Sequence, residues 1–247
     1  MSDFLPGVPA DLVTACLSRA PGNEIRSGKF SSPESSSALA ANGFGWFMER
    51  AGKLPPLPGL AGWPAKRVEV EAEMRFPWAG GRHPWLDAVI ETSSSLIGIE
   101  SKRYEPFRPA KTNSFADGFD RPVWGDQMER YSSLRRTLVN GAKRFDALDA
   151  VELIKNAYGL RTQAKALGKR PVLIYLYAEP SHWANARAVD PDRIALHQAD
   201  IARFAGIVEG DEVSFGAVTW ADLLKIWTAS AGSAPHGARM QERFAPL

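Results

Sequence analysis

The sequence predicts an α/β fold, a mixed β-sheet flanked by helices. Three observations predict it. Residues 85–102, WLDAVIETSSSLIGIESK, alternate with period two on both sides of a serine cluster, which marks two strands joined by a turn. Residues 171–177, PVLIYLY, form a near-continuous apolar run, as in a strand buried on both faces. Segments with helical spacing and helix-start signals lie before, between and after these strands.

The elements follow in order. Residues 1–30 are loosely patterned and read as an N-terminal extension, with a short helix over Asp11–Arg19 broken by Pro21–Gly28. Ser32 as cap, Pro33 in the first turn and Glu34 at the positive end predict a helix over 34–50. Its apolar face is Leu39, Phe44, Trp46 and Phe47, weakened by Gly43 and Gly45. Four prolines make 52–65 an irregular connection. Lys66–Phe76 alternates and reads as the first strand, followed by a Gly/Pro loop carrying Trp78 and His83. After the hairpin, Tyr104–Pro122 is a long polar loop of a length often tied to function. Helices are predicted over 122–140 and 146–167, the second ending at Gly168. The buried strand follows, then a helix over 190–208 opened by Asp190–Pro191, a strand over 212–218, and a helix over 219–229 capped by Thr219. The domain is thus expected over 31–230, with a weakly ordered tail over 231–247.

Composition excludes several classes. The chain has 247 residues, 45% hydrophobic and 23% charged, an ordinary globular balance. No apolar run approaches ~20 residues, so no membrane span is expected. The start has no basic segment followed by an apolar one, so no secretory signal is expected and a cytoplasmic location is. Cys16 is the only cysteine, which excludes disulfide frameworks and thiolate metal clusters. The four histidines lack zinc-type spacing, which favours an oxygen-ligated hard cation over zinc. Net charge is only +2, but between Lys102 and Arg144 ten Lys/Arg face five acids. That local excess suits a phosphate backbone, and equally a solvated helix face. Neither a phosphate-cradling loop nor a nucleophile elbow is present.

The hairpin carries the chemistry. If the chain turns at Ser93–Ser94, Asp87 falls opposite Glu100, while Ala88–Ile99 and Ile90–Ile97 pair on the other face. Two opposed carboxylates have Cβ atoms ~5 Å apart and repel unless neutralised. A hard divalent cation removes that repulsion. Lys102 lies ~6.6 Å further along the Glu100 face. Gly98 would leave space beside the acids, or mark a bulge. A solvated Glu–Lys strand face is the competing explanation.

An Asp followed by Glu-x-Lys on the adjacent strand resembles the PD-(D/E)XK nuclease superfamily. Leu86 stands where that family often has proline. Gln127 and Tyr131, within GDQMERYSSLRR, resemble the Gln-x-x-x-Tyr element of its RecB-like branch. The resemblance covers roughly residues 30–230. It implies a restriction-endonuclease-like mixed sheet and a Mg²⁺-dependent nuclease, with Mn²⁺ as a substitute, acting on nucleic acid and most readily DNA. It implies metal ligation by Asp87, Glu100, the Ser101 carbonyl and Glu34. Lys102 would orient water or stabilise charge, and Gln127 and Tyr131 would line the site. Glu24 is a poorer alternative to Glu34, and Glu91 lies near the turn, solvated. Trp78, Trp85 and Trp124 flank these segments, as stacking platforms or as packing. The alternative is a catalytically inactive protein of the same fold that binds nucleic acid or a partner. A third reading is an unrelated α/β protein. Strandedness, specificity and oligomeric state stay open, and a homodimer is compatible with the sequence.

Overall fold

The computed structural model describes residues 3–109 and 114–247. Lys111, counted in the basic stretch above, lies outside them. Two helices come first, α1 (Ala10–Arg19) and α2 (Ser36–Gly45). Strands β1 (Arg67–Glu73), β2 (Trp85–Glu91) and β3 (Ser95–Lys102) follow, then α3 (Glu129–Val139) and α4 (Ala150–Ala166). The chain continues through β4 (Arg170–Tyr177), α5 (Pro191–Val208), β5 (Ser214–Thr219), α6 (Trp220–Ala229) and α7 (Ala234–Phe244).

The five strands form one sheet in the order β1-β2-β3-β4-β5. Short connections make β1, β2 and β3 antiparallel. The helical crossovers before β4 and β5 make those two strands parallel to their neighbours. The mixed sheet read from the sequence is therefore the observed one. The hairpin register is also the expected one, with Ala88 opposite Ile99 and Ile90 opposite Ile97. Its two-residue turn is held by Thr92, whose hydroxyl accepts from the amides of Ser94 and Ser95.

Helices cover both faces. Val70, Ala88, Ile90, Ile97, Ile99 and Ile174 pack with α1, α2, α6 and α7. Leu86, Val89, Leu96, Leu173 and Tyr175 pack with α3, α4 and α5. β4 feeds both cores, which explains its unbroken apolar run.

Four elements differ from the sequence reading, one of them α4, expected from residue 146, which begins at Ala150 with Asp149 as its cap. α2 starts at Ser36 because the Ser35 hydroxyl, not Ser32, caps it by accepting from the Ala38 amide. The helix expected over 122–140 begins at Glu129. Before it, Gly125 has φ of +83° and residues 126–128 form a 3₁₀ turn. Residues 231–247, expected as a weakly ordered tail, contain α7. His236, Met240 and Phe244 recur every fourth residue and are buried against α2 and α6. The expected N-terminal extension is likewise tied in, through buried Val13, Cys16 and Leu17 of α1.

Candidate active site

The register sets three carboxylates in one row across three adjacent strands. In the β1–β2 pair, Val70 faces Ala88 and Ala72 faces Leu86, so Glu71 and Asp87 lie level between them. The β2–β3 ladder ends at Ala88–Ile99, and the next level is Asp87 and Glu100. Strands β1 and β2 both change face at this row. Val70 and Ala88 point to the α2 side, whereas Ala72 and Leu86 point to the α4 side. In β1 the switch is made by Glu71, whose φ of +49° is unusual for a residue with a side chain. In β2 the Asp87 carboxylate accepts from the Ser101 amide at 2.6 Å, where a backbone carbonyl would otherwise serve.

Crowding shows in the protonation equilibria. Loss of water pushes Asp87 up to about 7, against the pull of Lys102 and the Ser101 amide. Burial, then the Asp87 charge, pushes Glu71 up to about 8. Glu100 is raised well above the usual carboxylate range, by burial and then by Glu152. Burial alone would lower Lys102. Glu100, Glu152, Asp87 and Glu105 outweigh it and hold the ammonium charged. Glu105 stays low despite burial, because Lys102, the Ser36 hydroxyl and the Arg103 amide favour its anion.

Helix α4 supplies two residues that sequence reading missed. Glu152 pairs with the Lys102 ammonium at 2.7 Å, and the Asn156 amide donates to Glu100 Oε2 at 2.7 Å. Lys102 also bonds Glu100 Oε1. A spacing of four on an otherwise apolar helix face was the available signal. α2 contributes from the other side, where Ser37 donates to Glu71 and Ser36 to Glu105. Glu71 was hidden in an alternation that reads as a solvated strand face.

The structure sets Asp87, Glu100, Ser101 and Lys102 beside one another on β2 and β3. It does not bring Glu34, Gln127 or Tyr131 to them. Glu34 is drawn away by Arg108 at 2.7 Å and accepts from the Ala184 amide. Glu24, the poorer alternative, acts electrostatically on Glu71. Gln127 is exposed in the 3₁₀ turn, and its carbonyl accepts from the Glu212 amide. Tyr131 is fully buried, with its hydroxyl donating to the Val213 carbonyl. Val213 precedes β5, level with the start of β3, so this hydroxyl lies roughly 20 Å along the strands from Lys102. Gly98 leaves no space for a cation either. An added Cβ would sit 2.4 Å from Leu86 Cδ1 and 3.2 Å from Leu160. Trp124 stacks on Tyr158 at 4.0 Å and is a packing residue. Arg103 is buried, donating to the Pro33 and Phe244 carbonyls, so part of the basic stretch ties the fold together.

The family model described as Restriction Endonuclease associating with ARP matches residues 16–245. The chain belongs to this family. No curated protein and no solved structure matches it. Membership in a restriction-endonuclease family accords with the five-stranded mixed sheet and its flanking helices, and with nuclease chemistry at the coarse level. No helix of the described residues is long and apolar enough to cross a membrane.

The site of this restriction-endonuclease family member fits a hard cation in kind and in charge. Its donors are carboxylate oxygens, and five carboxylates act on the one Lys102 ammonium. Among the described residues, no three His, Cys, Asp or Glu side chains converge as a finished metal site. Lys102 instead bridges Glu100 and Glu152.

Proposed function

We propose that this protein is a Mg²⁺-dependent nuclease that hydrolyses phosphodiester bonds of DNA. The observation that carries the reading is the row Glu71–Asp87–Glu100 with Lys102 beside it. Such a row is costly without a cation and useful with one. Asp87 and Glu100 would hold Mg²⁺, with the Ser101 carbonyl and with Glu71 in place of Glu34. Mg²⁺ would supply charge neutralisation on the phosphate and acidify a bound water.

The chain's own residues do the rest. The Ser101 amide fixes Asp87, and Asn156 fixes Glu100. Lys102, released from Glu100, turns its ammonium to a non-bridging phosphate oxygen and stabilises the charge that develops there. Glu152 keeps Lys102 charged and aimed. Water oxygen bonds to phosphorus as one of its protons passes to solvent, one P–O bond to sugar breaks, and the leaving alkoxide takes up a proton from solvent. The products are a phosphate monoester and a hydroxyl.

The test is cleavage of single- and double-stranded DNA and RNA by wild type and Lys102→Ala, with Mg²⁺, Mn²⁺ or EDTA. Cutting that needs the cation and drops at least ~10²-fold in Lys102→Ala is the expected result. A Lys102→Ala protein that cuts as fast as wild type refutes the assignment. Salt-sensitive binding without any cutting favours the inactive nucleic-acid-binding alternative, for which the Lys102 bridge between Glu100 and Glu152 is the supporting observation.

A further inference from the structure

A cleft of about 720 Å³ opens beside Lys102 and Glu152. One wall is the loop of residues 143–149 between α3 and α4, and the other is the segment 105–109 after β3. Both walls are anchored to α5. Buried Asp200 accepts from the amides of Asp146 at 2.8 Å and Ala147 at 2.9 Å. Arg193 donates to the carbonyls of Pro106, Arg108 and Asp146, which ties one wall to the other. The cleft is therefore built into the fold.

Its lining is apolar on one side and charged on the other, where the carboxylates of Glu105, Asp146, Asp149 and Glu152 stand among the cations. Leu138, Phe145, Leu148 and Val151 make an apolar side. Phe145 is only half-buried, packed on Phe204 at 6.1 Å, with the Arg203 guanidinium 4.2 Å from its ring centroid. Arg108, Lys143 and Arg144 are exposed cations at the rim. Arg108 and Arg144 pair with exposed or half-exposed acids, whereas Lys143 has no ion pair among the described residues. An apolar slot of this volume with a few charged groups suits a small organic ligand. Here cations stand at the mouth, Lys143 without an ion pair among the described residues and Arg144 paired with Asp146, and the reacting end is Lys102.

We infer that this cleft takes one unpaired nucleotide of a nucleic-acid strand, its base against Phe145 and the apolar side and its phosphates toward Lys143 and Arg144. The inference rests on the nuclease reading only in placing the reacting phosphate at Lys102. An uninterrupted duplex keeps its bases paired inside and offers the cleft nothing to enclose. Single strands, frayed ends, flaps and extruded nucleotides offer a base with two free faces. The substrate class is thus unpaired or unpairable strand, not intact duplex.

The test measures binding in EDTA, so that it does not depend on cutting. Fluorescent oligothymidylate, the matching oligouridylate, a perfect duplex and a duplex with one unpaired nucleotide are titrated into the full chain. Wild type should hold the single strands and the interrupted duplex about tenfold tighter than the perfect duplex. Phe145→Ala should weaken single-strand binding about tenfold, the scale of one lost base stack. Because Phe145 also packs on Phe204, the exposed double variant Lys143→Ala/Arg144→Ala is the second probe. It should weaken the same ligands and flatten their salt dependence. Equal or tighter binding of perfect duplex, or single-strand binding unchanged in both variants, overturns the inference. Duplex cutting that persists at the wild-type rate in Phe145→Ala overturns it while leaving the nuclease reading intact. Tight single-strand binding without cutting in any cation does the reverse.

Discussion

Asp87 does two things that pull against each other. Its carboxylate replaces a backbone acceptor for Ser101, which favours the anion, and it is buried, with the charges of Glu152 and Glu105 acting on it, which disfavours it. Asp87→Asn keeps an oxygen for the Ser101 amide and removes the charge. In EDTA the variant should therefore melt higher than wild type, by the ~1 kcal/mol scale of a relieved like-charge contact. Mg²⁺ should raise the wild-type melting temperature, because it binds the folded row and not the unfolded chain. It should leave Asp87→Asn unmoved. A variant that melts lower in EDTA, or still responds to Mg²⁺, contradicts the proposed ligand set. Asn156 makes a different prediction. Its amide is buried and bonded to Glu100 Oε2, so Asn156→Ala orphans a buried oxygen at ~1–3 kcal/mol in stability. As a positioning residue it should lower kcat for DNA cleavage with KM nearly unchanged, a split that general destabilisation does not produce. Sequence showed Asp87, Glu100 and Lys102 because they share a short hairpin. It hid Glu152 and Asn156 because they arrive from fifty residues away, on a helix whose other residues announce only packing.

At the scale of elements, α4 is the part that decides whether the site is tight. It sits against the sheet through Gly159, where an added Cβ would meet the Met74 carbonyl oxygen at 2.6 Å and Met74 Cβ at 2.7 Å. Backbone cannot yield as a flexible side chain can. Gly159→Ala should push α4 off the chain at Met74, just beyond β1, at a cost of ~1–3 kcal/mol despite the better helix propensity of alanine. Because Glu152 and Asn156 ride on the same helix, cleavage should fall more than the loss of folded protein explains. Denaturant melts and single-turnover rates on the folded fraction measure the two effects separately. The hairpin was legible because a one-residue slip would have turned Ala88, Ile90, Ile97 and Ile99 out of the core, which fixes the register. The Gln127–Tyr131 pair misled because a spacing of four means one helix face only inside a helix. Gln127 precedes α3, in the 3₁₀ turn that follows Gly125. The face switch at Glu71 left no mark in the sequence, since Val68, Val70, Ala72 and Met74 alternate as though they faced one core.

Across the whole molecule, two histidines close the packing of opposite cores and stay neutral to do so. His236 of α7 stacks on Trp46 at 4.9 Å and donates to the Gly43 carbonyl from Nε2. Burial, then the charges of Arg239 and Arg50, brings it down to about 4 against the favourable Gly43 bond. His197 of α5 bonds the Tyr175 hydroxyl at 2.9 Å, between Tyr177 and Phe107. Burial and Arg193 bring it to about 4 as well. The unfolded chain holds these protons more tightly, with an ordinary value near ~6.5. Between about 4 and 6.5 the unfolded state therefore binds more protons than the folded one. Their stabilising contribution is complete above ~6.5 and falls as the pH drops through that window, by up to ~3 kcal/mol each. Glu71 and Asp87 oppose this, because raised carboxylates favour the folded state at the acid end of the same window. The histidine share is isolated by difference. His236→Gln keeps an amide donor for Gly43 and cannot titrate. Urea melts from pH 4.5 to 7 should show the stability difference between wild type and variant shrinking as the pH falls, so that the two curves converge toward the acid end. Parallel curves would mean that His236 takes up its proton as readily in the fold as in the unfolded chain, and that α7 is not the neutral, aromatic-stacked clasp that closes this core.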